Sequence, residues 1–228
     1  MACHQVTVPF DGCGLRDPIS VKAKTSGHDF DSFPASSVIE FQFPETADRP
    51  AIKFWWYDRK GNKPPAEVFE PWGVKPADSG VLIIGEKGAF YSADDYCGSA
   101  EFKKCEPLLE DKINPGYAEK KGGFDLDNMY ELFRAVDAKD PKICRSNFID
   151  RAGPLTETIL LGNLAVWAAY QGGPDGALMA DWGPTIEWDA KDLVVKNLDA
   201  IRQAEGSELA DRILGLIKPT YAEGYRLD

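Results

Sequence analysis

Histidines are rare in this sequence of 228 residues, and one of the two lies close to its first residue. His4 follows Cys3 in the string MACHQVTVPF, and the other histidine is His28. Because an imidazole exchanges a proton close to neutral pH, a histidine suits general acid or base catalysis at a substrate hydroxyl. Residues near a chain end are also commonly exposed and frayed. His4 is therefore a candidate catalytic residue, with a frayed terminal residue as the alternative.

Motifs that bind metals or nucleotides are missing from the sequence. Its five cysteines form no C-x-x-C pair, and two histidines cannot complete a cluster of zinc ligands. A dinucleotide-binding turn needs three glycines between a strand and a helix, and the nearest string, GCGLRD at 12–17, lacks the third and leads into a proline. The sequence thus predicts no metal site and no cofactor site in this chain.

Composition argues against two classes of partner. The chain has 37 acidic and 26 basic residues, a net charge of -11 and an isoelectric point near 4.7, so phosphate backbones and anionic lipids should repel it. No apolar run approaches the roughly 20 residues that cross a bilayer, and no leader pattern is present. The scattered, odd-numbered cysteines suit a reducing compartment. We expect a cytoplasmic protein that binds neither nucleic acid nor membranes and folds as one domain over 1–228.

Short β-branched and aromatic runs predict strands in the first two-thirds of the chain, at 19–24, 36–43, 51–57, 80–85 and 88–92. Within 36–43, more polar positions alternate with Ile39, Phe41 and Phe43, which gives the strand one apolar face. Such strands fit a sheet that is buried on one side, and therefore an antiparallel or mixed one.

Helical periodicity replaces this alternation in the last third. It predicts helices over 125–136, 154–170, about 191–204 and about 207–217, of which 154–170 should be the central buried helix. In that helix Gly162 should permit close approach to the sheet, and Glu157 needs a polar partner. Strands followed by helices predict an α+β fold, in which helices pack on one face of a largely antiparallel or mixed open sheet.

Seven segments, in order along nearly the whole chain, resemble the C-terminal domain of Gfo/Idh/MocA-type oxidoreductases, the relatives of glucose-fructose oxidoreductase and inositol dehydrogenase. They are MACHQVTVPFDGCGLRDPISVKAKTSG, FPASSVIEFQFP, KFWWYDRKGNKPP, SGVLIIGEKGAFYS, SNFIDRAGPLTETILLGN, IEWD and YAEGYRL. The resemblance implies an NAD- or NADP-dependent activity on the CH–OH group of a sugar or polyol. It also implies that an N-terminal Rossmann domain, which holds the cofactor in the family, is absent from this chain.

The family's second domain begins with a D-x-x-x-H motif whose two side chains face the substrate hydroxyl. MACH matches the last four positions, so His4 corresponds to the family's histidine, while the aspartate would lie before Met1. The resemblance therefore implies that this polypeptide alone is catalytically silent. It would act as a fragment, or as one subunit of a split enzyme beside a separate Rossmann subunit.

Three further side chains are candidates for substrate binding. Trp55 and Trp56 point to opposite faces of one strand, so one is expected in the core while the other could stack on a sugar ring. Arg151 precedes the central helix and is the weaker candidate. Relatives associate through the open face of the sheet, so the resemblance implies a homo-oligomer, a dimer or tetramer, and favours subunit contact for the exposed tryptophan.

Two departures from the family pattern bear on function. Asn128 stands where relatives commonly carry a histidine, and the loop 172–185 is longer than the family's turn, with Trp182 as its expected anchor. Two hypotheses remain open. The chain is either the substrate-binding and oligomerisation half of a sugar or polyol dehydrogenase, or a freestanding, non-enzymatic domain that self-associates or binds carbohydrate.

Overall fold

The computed structural model describes residues 1–59, 62–106, 124–145, 147–170, 176–218 and 221–225, with the backbone alone over 124–128. These residues form an α+β fold, as predicted, with two antiparallel sheets. The strands are β1 Ser20–Thr25, β2 Ser37–Phe43, β3 Ile52–Asp58, β4 Val81–Ile84, β5 Ala89–Ser92, β6 Ala100–Lys103, β7 Ile186–Asp189 and β8 Val194–Val195. The α-helices are α1 Ala2–Gln5, α2 Thr7–Gly12, α3 Phe124–Ala138, α4 Gly153–Ala168, α5 Leu198–Glu205 and α6 Ser207–Ile217. Among these helices none has the length and apolar composition needed to cross a bilayer.

The larger sheet has five strands in the order β3-β2-β1-β7-β8. Its first three strands are consecutive in sequence, and the pairing places Val21 opposite Phe41, and Phe41 opposite Phe54. Strand β7 returns much later in the chain and pairs with the free edge of β1, where Val21 faces Ile186. The alternation in the sequence therefore carries apolar side chains to one face of adjacent strands, which is the condition for a shared core.

Helix α4 packs on that apolar face of β1 and β2. A Cβ atom at Gly162 would lie 2.8 Å from Cζ of Phe41, so the missing side chain lets the helix approach the sheet, as predicted. Leu161 and Leu164 of α4 join the buried core. Glu157 finds its partner in Trp188, whose Nε1 donates a hydrogen bond of 2.7 Å to the carboxylate.

The smaller sheet is a three-stranded meander in the order β4-β5-β6. The sequence predicts its first two strands but does not separate them from the larger sheet. The sequence does not predict strand β6. Its side chains are mostly exposed, and Ala100–Lys103 therefore shows no alternation between buried and exposed positions.

Two sequence expectations differ from the structure in detail. The helix expected over about 191–204 begins only at Leu198, because Val194 and Val195 pair with β7 and form β8 instead, as β-branched residues favour. Leu160, expected on the buried stripe of α4, is 57% exposed. Several residues on which sequence expectations fall lie outside the described part of the chain. They are 171–175, which include the start of the long loop, Ser146, Lys60, Gly61, residues 226–228 and the side chain of Asn128.

Candidate functional site

The chain around His4 is a helical turn anchored in the core. Val6 and Phe10 lie four residues apart, on one face of the α1–α2 segment, and are 3% and 0% exposed. The imidazole of His4 is exposed. A side chain at the surface of a segment with two buried anchors has a defined position, which argues against the alternative of a frayed terminal residue.

The residue after His4 belongs to a hydrogen-bonded group, and His4 itself contacts Tyr96. Its ring lies 4.9 Å from the ring of Tyr96, centroid to centroid, at an interplanar angle of 54°. The next residue, Gln5, donates a hydrogen bond of 2.8 Å from Nε2 to Oδ1 of Asp95. Ser79 completes the group, since its hydroxyl accepts from Gln5 and donates to the same carboxylate oxygen of Asp95. Two adjacent residues of the turn are thus joined to two adjacent residues of the loop after β5.

Asp94 organises that loop. Its carboxylate accepts backbone N–H bonds from Tyr96, Gly98 and Ser99, at 2.8, 3.0 and 2.8 Å. The hydroxyls of Ser99 and Ser92 donate two more, at 2.6 and 3.0 Å. Hydrogen bonds to an ionised carboxylate favour the charged form, so they hold the Asp94 pKa well below its usual range. These hydrogen bonds therefore fix the conformation of the loop that carries Asp95 and Tyr96.

The carboxylate of Asp95 is also stabilised in its charged form. Hydrogen bonds from Ser79 and then from Gln5 are the largest causes that lower the pKa of Asp95, and the nearby His4 adds an electrostatic contribution in the same direction. The group near His4 is therefore an anion at neutral pH.

Arg151 lies in a π-helical turn, Phe148–Ala152, that leads into α4. Its guanidinium binds Asp11 of α2 through Nε and a terminal nitrogen, with shortest distances of 3.0 and 2.8 Å. The guanidinium of Arg16 stacks 3.6 Å above the ring of Phe10 and lies 3.9 Å from the same Asp11 carboxylate. Arg151 therefore ties the start of α4 to the segment that carries His4.

Trp55 lies on the face of the larger sheet away from α4. It is 42% exposed, and its Nε1 donates a hydrogen bond of 3.1 Å to Oε2 of Glu40 on the neighbouring strand. The ammonium of Lys22 lies 3.6 Å from the same oxygen. Trp182 borders this row, with the Lys22 and Lys24 ammonium groups 4.7 and 5.3 Å from its ring, as expected of the loop's anchor. This face is polar and aromatic, and partly shielded by its own side chains.

Trp56 lies on the opposite face. It pairs with Ile39, whose Cδ1 atom is 3.5 Å from an added Cβ at Gly162, and it packs partly buried against the core. The turn that carries His4 is anchored in the same core. The structure therefore separates His4 from Trp55 by the thickness of the sheet, and no single site contains both.

Sequence reasoning missed a second group of aromatic side chains around His28. The imidazole lies between Phe30 and Trp167, with ring centroids 4.6 and 4.7 Å away in edge-on contacts, and the Arg212 guanidinium lies 3.9 Å above Phe30. Neither ring nitrogen has a geometrically acceptable hydrogen-bond partner. Burial, then the charge of Arg212, lowers the His28 pKa. The string SGHDFDSF carries the aromatic signal, but its contact with α4 and α6 depends on the tertiary fold.

The described residues do not fit a nicotinamide dinucleotide. Every strand pairing among them is antiparallel, whereas a dinucleotide fold needs parallel strands joined through a helix whose N-terminus receives the pyrophosphate. The part of the chain that the structure describes also contains no group of three or more His, Cys, Asp or Glu side chains able to hold a metal ion.

No protein-family model matches the sequence, and no curated protein matches it significantly.

Proposed function

We propose that this chain is the substrate-binding half of an NAD- or NADP-dependent oxidoreductase that acts on a sugar or polyol hydroxyl, as its resemblance to Gfo/Idh/MocA-type C-terminal domains implies. One observation supports this most: His4, the residue that matches the family's histidine, is exposed on an anchored turn beside the charged carboxylate of Asp95. A histidine in that setting is accessible to a substrate hydroxyl and can accept its proton.

The chemistry assigned to this chain is limited to binding and proton handling. His4 would hydrogen-bond the hydroxyl and take up its proton. The nicotinamide cofactor, which would serve as the oxidant, would be held by a dinucleotide-binding domain or separate Rossmann subunit outside the described residues. The chain by itself would bind substrate without oxidising it.

Calorimetric titration with a panel of hexoses and cyclic polyols tests this function. We expect saturable binding to the wild-type chain and about fivefold weaker binding to His4→Gln, the loss of one net hydrogen bond of about 1 kcal/mol. His28→Gln is the matched control, because His28 lies in the separate aromatic cluster, and it should retain wild-type affinity. Absence of binding to the whole panel, or equal affinities for both variants, contradicts the proposal, as would tight binding of NAD or NADP to this chain alone.

We further propose that the sheet face around Trp55 joins copies of this chain into a dimer or tetramer. The supporting observation is a large aromatic side chain that is 42% exposed on a sheet face, next to the Lys22–Glu40 ion pair. Exposed aromatic residues of this kind are enriched at protein interfaces. Self-association alone, without substrate binding, is the second candidate function of the chain.

Sedimentation velocity distinguishes an oligomer from a monomer. Trp55→Asp should shift the wild-type oligomer to monomer, because the substitution would bury an unpaired charge at the interface. Ile84→Asp is the control, since Ile84 is similarly exposed, at 51%, but lies on the smaller sheet. A wild-type protein that stays monomeric at high concentration would refute this second proposal.

A further inference from the structure

The contacts around His4 come from residues far apart in sequence. Gln5 and Ser79 are separated by 74 positions, and Gln5 and Asp95 by 90. Both hydrogen bonds are donated by Nε2 of Gln5 and join these three side chains into one group. The ring of His4 contacts Tyr96, the residue after Asp95. Consecutive residues of one segment, His4 and Gln5, thus contact consecutive residues of the other, Tyr96 and Asp95. An accidental surface contact would not need this matched pairing.

The loop side of this contact is preorganised. Asp94 receives three backbone and two side-chain hydrogen bonds from within the segment 92–99. The three backbone donors, Tyr96, Gly98 and Ser99, all follow Asp95, so they fix the backbone immediately after it. Functional side chains need such a support, since a shift of about 1 Å at a reacting group can cost about a hundredfold in rate.

We propose that Asp95 and Tyr96 are positioning residues for His4: Asp95 holds the α1 turn through Gln5 and supplies a fixed negative charge, and Tyr96 sets the position of the imidazole ring. The proposal rests on the function proposed above, in which His4 accepts the hydroxyl proton. It adds residues of the loop between β5 and β6 to a site that the sequence assigns to the N-terminal segment alone.

The negative charge of Asp95 gives this residue a role besides holding the α1 turn through Gln5. Hydrogen bonds from Ser79 and then from Gln5, with a contribution from the nearby His4, lower the pKa of Asp95, so this carboxyl group is ionised at neutral pH. When His4 takes a proton from the substrate hydroxyl, the new positive charge forms beside an existing negative one. A carboxylate that stabilises an imidazolium in this way assists proton transfer without touching the substrate.

Proton NMR of the full chain measures the position of His4 directly. With two histidines in the chain, the imidazole C–H resonances are few, and His4→Gln assigns them. In the wild type the His4 resonances should be displaced from those of an unstructured histidine, because the Tyr96 ring is 4.9 Å away. Tyr96→Leu should abolish this displacement, and Asp95→Ala should reduce it. The His28 resonances should remain unchanged in both variants and thus show that each protein is folded.

Asp95→Asn separates charge from position, because its amide oxygen still accepts hydrogen bonds from Ser79 and Gln5. We expect the His4 displacement to persist in this variant, because the hydrogen bonds that hold the α1 turn are retained. A reciprocal measurement uses carbon-13 NMR of the Asp95 carboxyl group: His4→Gln should raise the Asp95 pKa. An undisplaced His4 in the wild type, or an Asp95 pKa that is the same with and without His4, overturns the positioning role.

These outcomes are distinguishable from failure of the proposed function. If the NMR results are as expected but no sugar or polyol binds, the proposed function fails while the His4–Asp95 arrangement stands. If polyols bind in a His4-dependent manner but His4 is insensitive to Tyr96→Leu and Asp95→Ala, the function stands and the positioning role is rejected.

Discussion

Two regions of the molecule are held together by different forces. Helix α4 is fixed on the larger sheet by apolar contacts around Leu161, Leu164 and the missing side chain of Gly162. The turn that carries His4 meets the smaller sheet through a polar group centred on Asp95. The first region contributes most to the stability of the fold, and the second holds the segment of the exposed His4 against the loop after β5.

The position of the candidate site therefore depends on only a few polar interactions. A buried apolar side chain contributes about 1.5–3 kcal/mol by its removal from water, whereas a hydrogen bond contributes a net 0.5–1.5 kcal/mol or so. Substitutions in the core should therefore change global unfolding. Substitutions around Asp95 should change the site and leave global unfolding nearly unaffected.

The largest effect is expected from Phe43→Ala. Phe43 is 1% exposed in the core, so its truncation should lower the free energy of unfolding by about 3–5 kcal/mol through lost burial and the remaining cavity. Urea unfolding followed by circular dichroism measures the change. Phe33→Ala is the control, because Phe33 is 61% exposed, and it should change stability by less than about 1 kcal/mol. Equal losses in the two variants would contradict the assignment of the core.

Gly162→Ala tests how closely α4 approaches the larger sheet. The added methyl would lie 2.8 Å from Cζ of Phe41, and overpacking of this kind should lower the free energy of unfolding by about 1–3 kcal/mol. Gly215→Ala in α6 is the matched control, since an added Cβ there meets no atom within 4 Å. Alanine is the better helix former, so this control should gain up to about 1 kcal/mol. A gain at both positions would show that α4 does not approach the sheet closely.

A smaller effect is expected from acidification at His28. Burial and Arg212 from α6 lower its pKa, while Asp29 and the backbone of Val166 and Ala169 oppose the shift only in part. The unfolded chain therefore binds a proton more readily than the folded one. The stability that His28 contributes is present above its unfolded pKa of about 6.5 and is lost as the pH falls through the lower folded value.

Urea unfolding at about pH 7.5 and about pH 5 isolates this contribution when wild type is compared with His28→Phe. The wild type should lose more stability on acidification than the variant, in which the carboxylates are the same but the imidazole is gone. Identical pH dependence in the two proteins would place His28 in solvent rather than between Phe30 and Trp167.

The regular elements of the core were predictable from the sequence because their signals are local. The alternation in 36–43 and the apolar spacing in 207–217 predict β2 and α6 closely, and the strand and helix types of the α+β fold follow. The short strands β6 and β8 were not predictable, since segments of four and two residues depend on the strand beside them. Their side chains alone do not specify that pairing.

The candidate site was predictable only in part. Resemblance to the family identifies His4, but nothing in the local sequence connects it with Ser79 or Asp95. Those residues approach His4 because the smaller sheet folds back against the α1 turn, a consequence of tertiary structure rather than of spacing. For Trp55 and Trp56 the alternation of a strand predicts opposite faces, and only the position of α4 shows which of them joins the core.

The central claim is that His4 is an anchored, substrate-facing side chain, and its most direct test is a polyol titration followed by the proton NMR signals of the two histidines. The account predicts that the His4 resonances shift saturably with the same midpoint as the calorimetric binding curve, while the His28 resonances stay in place. His4 resonances that do not respond while a polyol binds, or that move together with those of His28, would contradict it.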